Sequence, residues 1–230
     1  MFATRRKGKI RTLSKSKLLA FLQCPKRLWL EVFCPNLRSD SQGTEASFSV
    51  GDEVGRIARQ AYDPEEKGVL IDPIVEGFDS AIRRTQSLLK NQNPIFEAGF
   101  SAQGAMVFAD VMLPTNNKGR QSWRIVEVKS SASIKHYHRQ DVAIQAFVAR
   151  SSGVPLSAIA LAHIDSSWSY PGGGNYKGLL VEQDLTEDAF SRTDEVRGWI
   201  AGAQQIISML QAPEVKTGTC QPVLSQYCKN

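Results

Sequence analysis

Hydrophobic and polar positions along the chain change their period twice, and each change predicts a different class of element. Apolar positions three and four residues apart predict helices in the first part of the chain. Alternating or continuous apolar positions in the middle predict strands, and helical spacing then returns around further strands. The predicted helices cover 15–23, 25–32, 50–61, 78–90, 135–150 and 186–212, and the predicted strands cover 95–100, 105–113, 123–129, 157–164 and 178–182.

The order of these elements predicts the fold class. Helices come first, a meander of strands follows, and helices then alternate with the remaining strands. This order is typical of an α/β protein with a central mixed β-sheet flanked by helices. A polar loop over 114–121 would close a hairpin, in which Leu113 faces Ser122 and Asp110 faces Ile125.

Charge is distributed unevenly along the chain. The net charge of +5 comes from 28 basic and 23 acidic residues, yet residues 1–30 hold nine Lys or Arg and no Asp or Glu. The rest of the chain therefore carries a net charge of −4. The basic segment is compatible with a targeting peptide, a phosphate-binding arm or a solvated tail. We interpret residues 1–13 as a basic flexible tail and residues 14–230 as a single domain.

Apolar runs and cysteine usage both indicate the compartment. The longest apolar run after the basic start covers 18–22, which is too short for a secretory signal. No run approaches the roughly 18 residues of a membrane span. We therefore expect a cytoplasmic protein with no membrane partner. In such a chain, four cysteines favour metal, cluster or catalytic use, or plain burial, over disulfides.

One carboxylate interrupts an apolar strand. Asp110 lies in the otherwise apolar segment 105–113, where a charge is unfavourable unless it is paired or bound to a metal. On the next strand, Glu127 and Lys129 share a face. In the hairpin described above, Asp110 lies on that face too, although a slip of one residue would break the arrangement. Two carboxylates beside a lysine can hold Mg²⁺ or Mn²⁺ and stabilise charge on a phosphate.

The helix after these strands extends the polar cluster. His138, Asp141 and Gln145 are three and four residues apart, so they form one polar stripe. Such a stripe could orient a substrate or a water molecule at the carboxylates. In the glycine-rich loop 166–177, Trp168 and Tyr170 could stack on an unpaired base, although exposed aromatic residues are common in loops.

Together these residues resemble the PD-(D/E)XK nucleases of the RecB type, in which an Asp, a Glu-x-Lys and a Gln-bearing helix follow each other. Ser-Lys-Ser-Lys-Leu-Leu-Ala-Phe-Leu-Gln-Cys-Pro-Lys-Arg-Leu-Trp at 14–29 is similar to the opening of the iron–sulfur subgroup, which includes the CRISPR-associated RecB-like nucleases. Other motifs resemble uncharacterised bacterial proteins with this nuclease module at their N-terminus: Gly51-x-x-Val-Gly-x-x-Ala58, Phe108-Ala-Asp-Val, Glu127-Val-Lys-Ser-Ser and Asp141-Val-Ala-Ile-Gln-Ala. The resemblance implies a restriction-endonuclease-like core whose N- and C-terminal helical parts are brought together.

The resemblance also implies a role for each matching residue. Asp110 and Glu127 would be ligands of Mg²⁺ or Mn²⁺, with the backbone carbonyl of Val128 as a third ligand. Lys129 would be the catalytic lysine, and Gln145 would help to hold DNA or the site. The candidates for accessory roles are Glu53, Glu97, His138 and Asp141, and the candidates for contacts with a DNA backbone are Lys15, Lys17, Lys26 and Arg27.

Cysteines near both ends of the chain match a cluster in this subgroup. The resemblance implies a [4Fe-4S] cluster whose first ligand is Cys24, with Cys220 and Cys228 in the C-terminal ligand set. The family ends with several closely spaced cysteines, whereas this chain stops two residues after Cys228. We therefore expect that the cysteine region is truncated from a longer protein, and the alternative is that Cys34 is the fourth ligand.

One departure from the family concerns the metal site. RecB-type nucleases usually carry a His ligand on the second helix, where this chain has Gly55, and Glu53 is the candidate to replace it. The resemblance implies a divalent-metal-dependent deoxyribonuclease, an exonuclease on single-stranded DNA ends in DNA repair or defence. The alternative is a catalytically weakened nuclease-fold module that binds DNA within a larger protein or with a protein partner. A hydrolase acting on a smaller substrate is a third interpretation.

Overall fold

The computed structural model describes residues 11–38, 42–117 and 119–214, with the backbone alone for residues 42–48. In these residues, a central mixed sheet of seven strands is flanked by helices, so the predicted α/β class is confirmed. The helices are α1 Lys15–Gln23, α2 Pro25–Phe33, α3 Gln42–Tyr62, α4 Pro73–Glu76, α5 Phe78–Leu88, α6 His136–Ser151, α7 Thr186–Ser191 and α8 Thr193–Ile207, with a 3₁₀ turn at Pro35–Leu37. The strands are β1 Leu13–Ser14, β2 Val69–Leu70, β3 Ile95–Ala102, β4 Ala105–Asn117, β5 Arg120–Lys129, β6 Leu156–Ile164 and β7 Leu180–Asp184.

The sheet is mixed because its strand pairs run in both senses. The strands follow the order β2-β3-β4-β5-β6-β7, and β1 pairs with β4 beside that path. The pairs β3/β4, β4/β5 and β6/β7 are antiparallel. The pairs β1/β4, β2/β3 and β5/β6 are parallel. The parallel pair β5/β6 is joined through α6, because strands that run in the same direction need a long crossover.

Helix α6 lies at the centre of the core. It contacts β3, β4 and β6 of the sheet as well as α1, α7 and α8, and every residue over 141–149 is buried. Apolar residues are expected on all sides of such a helix, so its buried polar residues His138, Asp141 and Gln145 need partners. None of the helices in the described residues has the length and apolarity of a membrane span.

The β4/β5 hairpin has a different register from the predicted one. Leu113 pairs with Arg124 rather than Ser122, because both strands continue through the segment predicted as a loop. The hydroxyl oxygens of Thr115 and Ser122 lie 2.8 Å apart across the two strands. The turn contains Gly119 with a φ of 80°, a conformation that glycine adopts without strain. Because side chains in a regular strand alternate with a period of two, a register shift of two residues keeps each side chain on its predicted face.

Helices from the two ends of the described chain pack together. Both α1 and α2 contact α8. The indole Nε1 of Trp29 donates a hydrogen bond to the carbonyl of Met209 at 3.2 Å. The side-chain amide of Gln204 donates to the carbonyl of Arg11 at 2.6 Å. The expected union of N- and C-terminal helical parts is therefore observed.

Several boundaries differ from the sequence prediction. Leu13 is buried in β1 and pairs with Ala105, so the folded part begins within the segment predicted as a tail, of which residues 1–10 lie outside the described residues. Helix α3 begins at Gln42, eight residues before the predicted start. The long C-terminal helix is interrupted at Arg192, which separates α7 from α8.

Candidate functional site

Two neighbouring strands lose their regular alternation at an acidic residue. In β4, Ala109 and Met112 both belong to the main core although they are three residues apart, so the alternation breaks around Asp110. The same break occurs in β3 around Glu97, which has a φ of 56°. This left-handed conformation is uncommon for a residue other than glycine and marks a locally strained position. Both acidic residues thus depart from the alternation of the strands that carry them.

A cavity of about 470 Å³ lies between α3 and the strands that carry these acids. The lining from the sheet includes Glu97, Asp110, Val128 and Lys129, and the lining from α3 includes Asp52, Gly55 and Arg59. Carboxylates, a lysine and an arginine thus line one cavity that is partly open to solvent. A cavity of this size and polarity is a candidate binding site.

Carboxylates around the cavity repel each other. The Oδ2 atom of Asp110 accepts a hydrogen bond from the backbone N–H of Val128 at 2.6 Å. Burial and the nearby carboxylates of Glu127 and Glu97 nevertheless raise the pKa of Asp110 well above its usual value. Burial and Glu127 also raise the pKa of Glu97. Both shifts indicate a negative potential that a bound cation would relieve.

Glu127 is held from the other side by cations and an amide. Its side chain is 1% exposed. Its Oε1 atom accepts hydrogen bonds from Lys15 at 2.9 Å and from Lys129. Its Oε2 atom accepts a hydrogen bond from the side-chain amide of Gln145. The carboxylate is therefore fully engaged and fixed in orientation.

Asp141 completes a buried network of two acids and two lysines. Its carboxylate lies 3.1 Å from the Nζ of Lys15 and 2.7 Å from the Nζ of Lys129. Burial alone would raise the pKa of Asp141, but the two lysines hold it well below its usual value. Burial would likewise lower the pKa of both lysines, yet Asp141 and Glu127 raise them. Each lysine thus bridges the same two carboxylates.

The remaining polar residues of the α6 stripe differ in their roles. Gln145 is fully buried, and its amide also donates to Asp141 at 3.0 Å. Its Oε1 atom has no hydrogen-bond partner in the described residues. His138 caps α6 through its Nδ1 atom, which accepts from the backbone N–H of Lys135 at 3.2 Å. Burial and the charge of Lys129 lower the pKa of His138 to about 4, so this side chain is neutral at pH 7.

The structure brings the main predicted residues together, with one difference. The expected convergence of Asp110 and Glu127 on one face assumed unbroken alternation in β4. The break at Asp110 instead turns its carboxylate to Val128 and to the cavity beside α3, while Glu127 is bound by Gln145 of α6. The carboxylates of Asp110 and Glu127 therefore have different hydrogen-bond partners, but they still interact electrostatically. Lys129 connects the cavity with the buried network around Glu127, since it lines the cavity and donates a hydrogen bond to Glu127.

Helix α3 presents a different acid from the expected one. The side chain of Glu53 is 51% exposed, pairs with Arg56 and does not line the cavity. Asp52 lines the cavity and interacts electrostatically with Glu97. Helical spacing could have identified it, because residues three apart share a helix face and Asp52 precedes Gly55 by three. Glu53 is only two residues from Gly55 and lies on another face.

Basic residues near the N-terminus are partly neutralised. The Nζ of Lys15 is directed into the acidic network rather than free for a DNA backbone, with the side chain 21% exposed. Lys17 and Arg27 both pair with Glu31, at 2.9 Å and 2.7 Å. For Lys26, the structure gives no ion pair in the described residues. The acid-free segment ends one residue before Glu31, so counting charges over residues 1–30 missed this partner.

Cysteines are only partly within the described residues. Cys24 is 2% exposed at the junction between α1 and α2 and is disulfide-bonded, whereas the sequence favoured uses other than a disulfide. Cys34 follows α2 and is a free thiol of intermediate exposure. Cys220 and Cys228 lie outside the described residues. The predicted cluster therefore stays a prediction.

The donor set around Asp110 fits a hard divalent cation in its chemistry. Carboxylate and carbonyl oxygens are the ligands that Mg²⁺ and Mn²⁺ prefer, and burial, followed by repulsion from Glu127, raises the pKa values of Asp110 and Glu97. As the side chains stand, no three His, Cys, Asp or Glu side chains of the described residues form a metal-binding group. Glu127 would exchange a lysine contact for a cation. Asp110, Glu127 and the carbonyl of Val128 are thus the residues that would hold it.

Comparisons with known proteins give little further information. No protein-family model and no curated protein matches the chain. Among solved structures, the chain is similar to that described as "Crystal structure of SSO0001", with 14% sequence identity and a TM-score of 0.42. The similarity covers 91% of this chain and 81% of that chain. We therefore infer the function from the site residues and from the motifs that they belong to.

Proposed function

We propose that the protein is a divalent-metal-dependent nuclease that hydrolyses phosphodiester bonds in single-stranded DNA with free ends. The observation that carries the proposal is the cavity in which Glu97 and Asp110 lie beside Val128 and Lys129. The resemblance of the same residues to RecB-type nucleases implies metal ligation by Asp110 and a catalytic role for Lys129. A cytoplasmic role in DNA repair or defence belongs to the same proposal.

Each residue has a physical role in this chemistry. Mg²⁺ or Mn²⁺ held by Asp110, Glu127 and the carbonyl of Val128 would supply an activated water molecule and charge neutralisation at the phosphate. Lys129 supports the reaction as a fixed positive charge, because its neighbours Glu127 and Asp141 keep it protonated. A preorganised charge of this kind stabilises negative charge that develops on the phosphate. Gln145 orients Glu127 through its side-chain amide.

Arg59 adds a positive charge on the opposite wall. It lies in α3, lines the cavity and interacts electrostatically with Glu97. A phosphate that enters between α3 and the sheet would therefore lie between Arg59 and Lys129. This arrangement favours a phosphodiester over a neutral substrate.

The test is cleavage of end-labelled single-stranded DNA by purified protein in Mn²⁺. Asp110→Asn and Lys129→Met are each expected to reduce the rate at least about a hundredfold, which is the range for one preorganised catalytic group. The control is Asp194→Asn, because the side chain of Asp194 is 92% exposed on α8 and does not line the cavity. Cleavage that survives both site variants would refute the assignment.

A second function is favoured by two observations. Gly55 supplies no side chain to the cavity, and Glu127 is already neutralised by lysines. Both features suit a catalytically weakened module that binds DNA for a larger protein or a protein partner. This alternative predicts salt-dependent DNA binding without cleavage in Mn²⁺, because phosphate contacts release counterions. Turnover that requires Asp110 would exclude it.

A further inference from the structure

An aromatic cluster lies in the loop between β6 and β7, and its members are Trp168, Tyr170 and Tyr176. The ring centroids are 5.9 Å apart for Trp168 and Tyr170, 6.1 Å for Trp168 and Tyr176, and 5.4 Å for the two tyrosines. Tyr176 is stacked on both partners, with interplanar angles of 23° and 26°. The three rings thus form one compact group in a loop that has no regular secondary structure.

Polar contacts hold these rings in place. The indole Nε1 of Trp168 donates to the carbonyl of Lys177 at 3.0 Å. The hydroxyl of Tyr170 accepts from the backbone N–H of Gly174 at 2.7 Å. Gly178 has a φ of 86°, and a Cβ there would lie 3.6 Å from the ring of Trp168. The rings are therefore ordered by the loop itself, yet Tyr170 remains 53% exposed.

The loop leaves the sheet beside the cavity. In the parallel β5/β6 pair, Lys129 is opposite His163, and the backbone N–H of Ile164 donates to the carbonyl of Ser131. The loop begins directly after this pair, at the same end of the sheet as Lys129. The cluster thus starts from the strand end that carries the proposed catalytic lysine.

Helix α3 comes near the cluster at one residue. Arg56 of α3 interacts electrostatically with Tyr176. Gly55 and Arg59 of the same helix line the cavity. The cluster therefore lies near the end of β5 that carries Lys129 and near Arg56, a residue of α3 that does not itself line the cavity.

We propose that Trp168, Tyr170 and Tyr176 form a stacking site for an unpaired nucleobase whose phosphate backbone leads into the cavity. The proposal rests on the nuclease function proposed above and assigns its substrate as single-stranded. An aromatic face stacks on any base, and it requires that the base be unpaired. The positive charge of Lys177, an exposed residue of the same loop, matches the phosphates that accompany such a base.

The test compares two oligonucleotides of equal length and charge. One is single-stranded oligothymidine, and the other has the same backbone with abasic sites. Binding is measured by fluorescence anisotropy in EDTA, so no cleavage interferes. Since one stacked base contributes about 1–3 kcal/mol, wild-type protein is expected to bind oligothymidine about tenfold more tightly.

The variants separate the ring from its hydroxyl and from general surface effects. Tyr170→Ala is expected to remove most of the tenfold preference and to leave the affinity for the abasic strand unchanged. Tyr170→Phe keeps the ring and is expected to keep the preference. Phe33→Ala is the control, because Phe33 is an exposed aromatic residue on α2 and does not line the cavity. Circular dichroism verifies that each variant is folded.

Several outcomes would overturn the stacking site. Equal wild-type affinity for both strands, no binding to either strand, or equal weakening of both by Tyr170→Ala would each do so. The proposed nuclease function is tested separately by cleavage in Mn²⁺. Base-dependent binding without cleavage would support the stacking site and refute the nuclease function. Cleavage without a preference for bases would support the nuclease function and refute the stacking site.

Discussion

Removing Lys15 should destabilise the metal-free protein more than removing any neighbouring surface lysine. Lys15 lies at the start of α1, and its Nζ contacts Glu127 at 2.9 Å and Asp141 at 3.1 Å. With Lys129, it balances two buried carboxylates with two cations. The variant Lys15→Met leaves one lysine for both carboxylates. Breaking a buried pair in this way costs about 3–5 kcal/mol, and we expect about 3 kcal/mol because Lys15 keeps some contact with water.

Lys17→Met is the matched control on the same helix. Lys17 is two residues away, and its side chain is 30% exposed and pairs with Glu31 at 2.9 Å. Glu31 also pairs with Arg27, so the loss of Lys17 leaves one acid with one cation. The expected cost is therefore about 1 kcal/mol, because the Glu31 side chain is 7% exposed but keeps Arg27 as its cation.

Urea unfolding in EDTA at pH 7 measures both variants. Mn²⁺ is expected to stabilise Lys15→Met more than wild-type protein, because the cation replaces the missing charge beside Glu127. A free energy of unfolding for Lys15→Met within about 0.5 kcal/mol of wild type, the range of ordinary surface changes, would refute the reasoning. A loss no larger than that of Lys17→Met would refute it equally.

The pH dependence gives a second measurement on the same network. The pKa of Asp141 is lowered in the folded protein, so its stabilising contribution is present above the usual Asp value of 3.8 and is lost as the pH falls below it. In Lys15→Met, one of the two cations that lower this pKa is absent. The variant should therefore lose less stability than wild type when the pH is reduced from 5 toward 3. Parallel pH profiles for the two proteins would contradict this expectation.

Three further changes test other parts of the site. Asp110→Asn should raise the free energy of unfolding in EDTA by about 1 kcal/mol, as measured by urea unfolding. The raised pKa of the Asp110 carboxyl group means that its charged form destabilises the fold at pH 7. Gly55→His should tighten Mn²⁺ binding at least about tenfold, as measured by calorimetry, because the histidine adds a ligand. The side chain has room, since a Cβ at this position would meet only the Arg59 side chain, at 3.8 Å. Protein purified without oxygen should contain iron and absorb in the visible range, and Cys24→Ala should lose both signals; colourless, folded wild-type protein would exclude the cluster.

Hydrophobic pattern was sufficient to predict most of the fold. The strands at β3 to β6 and the helix α6 begin within three residues of their predicted positions, because their apolar runs are long and bounded by turns or caps. The two-residue strands β1 and β2 were missed, because a pair of residues has no readable period. The hairpin register was shifted by two residues, since Pro114 pairs with Trp123 within the strands and does not end β4.

Side-chain partners of the site depended on contacts that are distant in sequence. Asp110, Glu127 and Lys129 were predicted from their strands, whereas the pairing of Lys15 with Glu127 joins residues 112 positions apart. No spacing rule applies to such a pair. Helical spacing could have predicted the position of Asp52, and the choice of Glu53 did not use that spacing.

The break in the strand pattern and the chemistry of the site have one physical origin. A regular β4 would direct Asp110 either to the sheet face covered by α6 or between the apolar residues of the opposite face. The irregular backbone at Asp110 and the left-handed Glu97 beside it instead bring both carboxylates to the cavity, where burial and then repulsion from Glu127 raise both pKa values. Such an arrangement is unfavourable for folding alone. Departures of this kind are expected where a fold is adapted to bind a ligand, and a divalent cation would reverse the repulsion that the strands impose.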